Sequence, residues 1–311
     1  MLSILLPEPL VGLVTFLAFL STTVAAFAFL LPAILLKLVP YPPMQRACSR
    51  YCVGVALQWA STNQVLFRLI HPANWQFDLR GELDPKRSYL LISNHQSWAD
   101  ILLLFDICYG RVPLPRFFLK QQLMYVPIIG LACWAMDFPF MKRHSKAAIA
   151  ANPGLRNEDL ETTRRACQIY RSEPVTVVNF AEGTRFTEAK RIAKQSPYRH
   201  LLRPKSAGLA FTLGAMGDQF AGIIDVTIAY RPTQRKWLWW SWFCGEQDNL
   251  ALDLDVRPVP AELLAGNYEA DPEFRARFQA WVNDLWAKKD ARLDRLTTQT
   301  VTPPARPAHH F

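Results

Sequence analysis

The six cysteines of this chain, Cys48, Cys52, Cys108, Cys133, Cys167 and Cys244, form no Cys-x-x-Cys pair, and none sits beside a histidine at ligand spacing. This argues against a zinc ribbon and a redox dithiol, and it fits reduced, mostly buried thiols in a cytoplasmic domain. There is no Gly-x-Ser-x-Gly elbow, so the chain offers no serine nucleophile of that type. Zinc-finger, helix-turn-helix and RNA-binding signatures are missing too, which sets nucleic acid aside as a partner. No internal repeat is evident. One further lack is local: from Pro9 to Leu36 there is no charged residue.

That uncharged run exceeds the roughly 20 residues that cross a bilayer core as a helix. Pro32 offers a point at which it kinks, or splits into a span and a short re-entrant piece. A cleaved signal peptide fits less well, because the run is long, opens on Glu8 and has no basic flank before it. Lys37, Arg46 and Arg50 follow the run, so the positive-inside rule sets the remainder of the chain on the cytoplasmic side. A hairpin that enters and leaves on one side gives the same answer. The stretch after it mixes Tyr51, Val53, Val55, Leu57 and Trp59 with Asn63 and Gln64. It reads as a helix lying at the interface or packed on the domain.

What is present in quantity is apolar surface and positive charge. At 311 residues, with 50% hydrophobic residues and a net charge of +9, the chain has room for one sizeable core with appendages. Between Arg185 and Lys205 lie seven Lys or Arg residues and one acid, Glu188. A solvated loop has this composition, and so does a surface for anionic lipid or a phosphate group. With an anchor at the start, the lipid surface is the economical reading. Trp237, Trp239, Trp240 and Trp242 crowd beside Phe243. So many rings in one short segment favour a membrane interface or an acyl-chain groove over the core.

Two stretches carry chemistry. Tyr89-Leu90-Leu91-Ile92-Ser93 reads as a buried strand and runs into Asn94-His95-Gln96-Ser97-Trp98-Ala99-Asp100. A turn into a helix there brings His95 and Asp100 together. The carboxylate then fixes one imidazole nitrogen and leaves the other to take a proton from a hydroxyl. A purely structural hydrogen bond has the same signature. With no nucleophile motif in the chain, the hydroxyl belongs to a substrate. Pro174 to Phe180 is a second buried-strand pattern and runs into Ala181-Glu182-Gly183-Thr184-Arg185. Gly183 permits a sharp turn, Arg185 presents a planar fork suited to phosphate, and Glu182 is placed to hold that Arg or another cation. A turn with a solvated ion pair reads the same way. His95 and Asp100 alone do not make a metal site, since no third ligand lies in a nearby motif.

Taken together, Asn-His-x-x-x-x-Asp and the later Phe-x-Glu-Gly-Thr-Arg resemble the glycerolipid acyltransferase family, in its 1-acyl-glycerol-3-phosphate acyltransferase-like, membrane-anchored bacterial branch. Phe118-Leu119-Lys120-Gln121-Gln122-Leu123 with Val126-Pro127-Ile128-Ile129-Gly130 is similar to the segment after the first motif, and Phe138-Pro139-Phe140-Met141-Lys142-Arg143 to the second motif. Val226 to Pro232 holds the place of the fourth motif without its usual Val-Pro start. Ala181 and Phe186 depart from the third, where Pro and Ser are common. The resemblance spans roughly residues 75 to 260.

It implies acyl transfer from acyl-CoA or acyl carrier protein, as co-substrate, to a lysophospholipid acceptor, by default 1-acyl-glycerol-3-phosphate, giving phosphatidic acid. No cofactor and no metal are implied. His95 is implied as general base with Asp100 orienting it. Arg185, Arg143 and Lys120 would hold the acceptor's phosphate, with Glu182, Gly183 and Thr184 shaping that subsite, and a backbone N–H of Gly183 or of the turn after His95 would stabilise the oxyanion. The bilayer is the implied partner, and the implied location is the cytoplasmic side of a bacterial inner membrane. A lipid ester or thioester hydrolase with the same pair, and a non-catalytic lipid-binding module, are the rivals.

Along the chain, strands are expected at Trp75 to Arg80, Ser88 to Ser93, Arg116 to Lys120, Pro174 to Phe180 and Gly222 to Ala229. Leu250, Leu252, Leu254 and Val256 alternate as a strand with one polar face. Helices are expected at Asp100 to Cys108, from an Asn157 cap to about Arg171, at Lys205 to Met216, and from Asp271-Pro272 onward. This alternation argues an α/β fold, a mixed central sheet flanked by helices. The expected organisation is an anchor over 1–45, an interfacial helix over 46–74, a catalytic domain over 75–260, a helical region over 261–296 and a disordered tail over 297–311.

Overall fold

The structure is a computed structural model that describes residues 6–71, 75–142, 161, 165, 167–171, 173–230, 237–246 and 250–299. It is α/β with a mixed central sheet. Strands β1 (Gln76–Arg80), β2 (Ser88–Ser93), β3 (Pro115–Phe117), β6 (Thr176–Phe180), β7 (Phe220–Ala229) and β8 (Ala251–Arg257) form one sheet in the order β1-β8-β7-β2-β6-β3. Pairing is parallel except between β7 and β8. A separate parallel ribbon joins β4 (Leu119–Lys120) to β5 (Phe140–Met141).

β2 is central, and all six of its residues are buried. Both of its faces are therefore covered, which explains a continuous apolar run in place of an alternating one. Tyr89 and Leu91 pack with helix α3 (Ala99–Cys108) and with the N-terminal helices α1 (Glu8–Lys37) and α2 (Pro42–Ile70). Leu90 and Ile92 face the other way, toward α6 (Ala207–Met216) and α8 (Pro272–Gln299).

β8 keeps its expected polar face, but that face meets protein and not water. Asp253 and Asp255 lie under α8, where Arg292 reaches Asp225, Asp253 and Asp255 at 3.1–3.2 Å. Lys289, fully buried, donates to Asp225 at 2.5 Å. Buried charges survive only when paired, and here α8 supplies the partners.

α1 and α2 form an antiparallel hairpin. Its two arms are joined by Thr15 to His71, Thr22 to Asn63, Trp59 to Thr23, Tyr51 to the Phe29 carbonyl and Lys37 to Ser49. α1 runs unbroken through Pro32. Its two ends both rest on the α/β domain. Phe16 sits edge-on to Phe243, 5.8 Å between centroids. A Cβ on Gly12 would come within 2.6 Å of Cys244 Sγ, so only glycine allows this approach. At the far end Lys37 donates to the Ala135 carbonyl at 2.8 Å and to Asp137 at 2.6 Å.

Several expectations need correcting. The helix expected over 46–74 begins at Pro42, where proline suits a first turn, and ends at Ile70. The strand expected over Arg116 to Lys120 is two strands in different sheets, divided at Phe118. The basic run is not only a loop, because Thr187 caps a short helix, α5 (Glu188–Ala193). α8 continues to Gln299, so residues 297–299, expected in a disordered tail, are helical, with Thr297 and Thr298 each bonding a carbonyl one turn back; 300–311 lie outside the described residues. The tryptophan cluster forms α7 (Leu238–Phe243) and divides its rings. Trp242 and Phe243 are buried against the hairpin, and Trp237 is exposed. The Asn157 cap lies outside the described residues.

Candidate active site

Register builds the site. Ser93 of β2 lies beside Phe180 of β6 in parallel pairing, so the residues that follow each strand emerge at one end of the sheet. In open α/β sheets this carboxyl end is where ligands bind. Asn94 clamps the end of β2 to β7: its side chain donates to the Ile228 carbonyl and accepts the Ile228 N–H, both at 2.9 Å. The chain then turns into α3.

His95 and Asp100 meet across this turn, with Nδ1 2.7 Å from Oδ2. The same oxygen accepts the N–H groups of Gln96 at 2.7 Å and Ser97 at 3.0 Å. Asp100 is buried in the first turn of α3, where the helix dipole favours a negative charge. Phe180 stacks on the imidazole at 4.1 Å and fixes its plane. With Nδ1 committed to a carboxylate, the neutral ring carries its proton there, and Nε2 is the basic nitrogen. Among the described residues Nε2 has no hydrogen-bond partner, and His95 lines a cavity of about 360 Å³.

Two expected roles change. Glu182 does not hold Arg185. Its Oε1 accepts the His95 N–H at 3.0 Å, and its Oε2 accepts the Leu202 N–H at 2.9 Å. It braces the backbone that carries the histidine. Burial pushes this carboxyl up to about 7, against the two N–H donors that favour its charge. The expected oxyanion donors are also engaged. Gly183 N–H donates to the Phe180 carbonyl at 2.9 Å, and the N–H groups after His95 serve Asp100. Gly183 itself has φ +67, a conformation that favours glycine, and a Cβ there would sit 3.4 Å from Lys205 Nζ.

The cavity gathers the remaining expected residues. Lys120, Gly183, Thr184 and Arg185 line it with His95, and Phe117, Leu123, Val126 and Phe180 supply apolar wall. Arg185 lies over the Trp98 ring at 5.2 Å. Arg143 lies outside the described residues.

Two residues were given no individual role in the sequence reading. Tyr230 is buried and donates its hydroxyl to Asp100 Oδ1 at 2.5 Å. Burial, then the Asp100 charge, hold its phenol well above its ordinary value, so it stays a donor. Lys190 donates to Thr184 Oγ1 at 2.9 Å and to the Arg185 carbonyl at 2.8 Å. Its ammonium is pulled below its ordinary value by partial burial, then by Arg185, Lys194 and Lys120. Lys120 and Arg185 line the cavity, and with Lys190 and Lys194 they share one positive field, which suits an anion. Lys190 was visible in the sequence only as one charge in a run. Among the described residues no group of three His, Cys, Asp or Glu is placed to hold a metal ion.

The arrangement brings an imidazole held by a carboxylate to a partly apolar cavity that Lys120 and Arg185 also line. The acyltransferase family model matches residues 76–231, half of the chain. Among curated proteins the chain is 27% identical over 233 residues to 1-acyl-sn-glycerol-3-phosphate acyltransferase 3 of Arabidopsis thaliana, covering 71% of this chain and 56% of that protein. It is 26% identical over 240 residues to human 1-acyl-sn-glycerol-3-phosphate acyltransferase delta, covering 71% and 58%. The chain thus matches under two thirds of these relatives' length. Among solved structures, the crystal structure of the 1-acyl-sn-glycerophosphate (LPA) acyltransferase PlsC from Thermotoga maritima aligns with 90% of this chain and 98% of that one, at 14% identity and a TM-score of 0.49.

Proposed function

The chain belongs to the acyltransferase family, and from that premise we propose that it moves a fatty acyl group from a thioester to the free hydroxyl of a lysophospholipid, with 1-acyl-glycerol-3-phosphate as acceptor and phosphatidic acid as product. The observation that carries this reading is the Asp100-oriented imidazole in a cavity lined by Lys120 and Arg185, with Lys190 beside it, bonded to the Thr184 hydroxyl and the Arg185 carbonyl. Nε2 of His95 takes the hydroxyl proton as the oxygen bonds to the thioester carbonyl carbon. Asp100 steadies the imidazolium that results. The tetrahedral adduct collapses, the carbon–sulfur bond breaks, and the proton on Nε2 passes to the leaving thiolate. The cationic rim holds the acceptor's phosphate, so the sugar-alcohol hydroxyl is presented and not chosen by collision. The donor is acyl-CoA or acyl carrier protein.

The hairpin beds the enzyme in the bilayer surface. Between Gly12 and Lys37, α1 extends about 37 Å at the α-helical rise, and it touches the α/β domain at both of those points. A helix crossing the membrane would have to leave the domain behind within that distance. α1 instead lies along it, with Leu13, Leu17, Leu20, Val24 and Phe29 exposed on its outer side. That supports a helix seated in one leaflet. Lys37, Arg46 and Arg50, together with six cysteines that form no disulfide, favour the cytoplasmic leaflet.

Lipid mass spectrometry of products from purified protein, offered a panel of lysolipids with each thioester, tests the proposal. Acceptor-dependent diacyl product is expected. Free fatty acid as the sole product would make the protein a hydrolase, and intact thioester would make it a binding module.

A further inference from the structure

Beside the cavity that Arg185 lines, the chain builds an apolar ledge, whose Leu123 and Val126 line the same cavity. A 3-10 turn (Gln121–Tyr125) leads through Val126-Pro127-Ile128 into α4 (Ile129–Ala135). Tyr125 is 76% exposed, Ile129 50% and Leu131 46%. The bend is tight. Ile128 has φ 67 and ψ −61, and Ile129 N–H reaches back to the Pro127 carbonyl at 2.7 Å. This is the positive-φ γ-turn, which is rare and strained for a β-branched residue. A Cβ on Gly130 would fall 2.1 Å from the Met124 carbonyl oxygen, so the bend closes tightly on itself. A strained, compact turn that spends its apolar side chains on the surface calls for a partner that covers them.

Charge identifies the partner. From Ile107 to Met136 the chain has no acidic residue, while Arg111, Arg116 and Lys120 fall within it. Arg185 lines the same cavity as Lys120, Leu123 and Val126, and Lys190 donates to the Arg185 carbonyl. The ledge also joins the hairpin. Lys37 at the end of α1 bonds the carbonyls of Trp134 and Ala135 at the end of α4, beside the exposed Leu35, Leu36 and Leu38. Apolar tips that continue the hairpin's exposed leucines, beside the exposed cations Lys120 and Arg185, fit an anionic bilayer, with the aromatic ring at the acyl–headgroup boundary.

We propose that the turn and α4 form a second bilayer-seated element, in which Tyr125, Ile129 and Leu131 enter an anionic leaflet and set the cavity mouth at headgroup depth. The element lets a lysolipid slide sideways into the cavity with its tail still in the membrane. It rests on the lipid acyl-transfer reading and adds to it the route by which the acceptor arrives.

The test uses the full chain with vesicles of phosphatidylcholine and phosphatidylglycerol. A bimane is placed by Tyr125→Cys, and in separate proteins by Leu20→Cys on the hairpin and Arg277→Cys on α8, each in a Cys133→Ala background. Quenching by brominated lipid is expected at 125 and 20 and absent at 277. Tyr125→Ser with Ile129→Ser should weaken vesicle binding roughly 10- to 100-fold, as loss of two buried apolar side chains implies. Turnover of a short-chain acceptor dissolved as monomers should not change. Quenching at 20 but not at 125, or unaltered vesicle binding by the double variant, would overturn the ledge while leaving the hairpin anchor intact. Quenching at neither site would overturn both. Vesicle binding as expected, but with no acyl transfer from any thioester, would leave the ledge standing and remove the enzyme reading.

Discussion

Tyr230 donates to Oδ1 of Asp100 at 2.5 Å while His95 and two backbone N–H groups share Oδ2. The carboxylate is thus held from both sides, and its orientation toward the imidazole does not depend on His95 alone. Tyr230→Phe removes one donor from a buried carboxylate. It should cost about 1–3 kcal/mol of stability and lower kcat roughly 10-fold, with acceptor KM unchanged. Steady-state kinetics beside a urea titration check this. An unaltered kcat would show that Tyr230 only fills space.

The cationic rim predicts selectivity for phosphate. Arg185→Ala and Lys190→Met should each raise KM for lysophosphatidate roughly 10-fold, the scale of one charge-assisted hydrogen bond. A monoacylglycerol acceptor, lacking phosphate, should show no such change. Equal losses for both acceptors would mean that these residues shape the cavity and do not bind the anion.

Glu182 predicts a pH dependence. Burial raises its carboxyl from 4.5 to about 7 in the folded protein. The folded state therefore holds a proton that the unfolded state has lost across that window, and stability falls as pH rises from about 4.5 through about 7. Glu182→Gln cannot titrate. Its melting temperature should lack this component, so the gap between wild type and variant should change across the window and level off above it. A gap that stays constant with pH would contradict the assignment.

The ion cluster under α8 predicts stability without chemistry. Lys289→Met leaves Asp225 buried with less positive charge around it, and it should cost about 3–5 kcal/mol by urea midpoint. Acceptor KM in the folded fraction should not move, because the cluster does not line the cavity.

Much of this was legible in the sequence, for identifiable reasons. β2 announces itself because a strand buried on both faces reads as an apolar run, and β6 and β7 were legible from shorter apolar stretches, though Asn179 interrupts the one and Asp225 and Thr227 the other. His95 and Asp100 were readable because their partnership is local. What the sequence hid is long-range. Tyr230 reaches Asp100 across 130 positions, and the faint fourth-motif match that contains it assigned it no role. Glu182 was expected to hold Arg185 or another cation, yet parallel pairing of β2 and β6 delivers it to the His95 backbone. The polar face of β8 was visible, but not the helix that covers it, since nothing local in the sequence ties Lys289 and Arg292 to Asp225.

The most direct test of the central claim is thiol release from an acyl thioester, with lysophosphatidate on vesicles, by His95→Ala. The account predicts a loss of about 10²- to 10⁴-fold with helix content and vesicle binding retained. Release at the wild-type rate would contradict it.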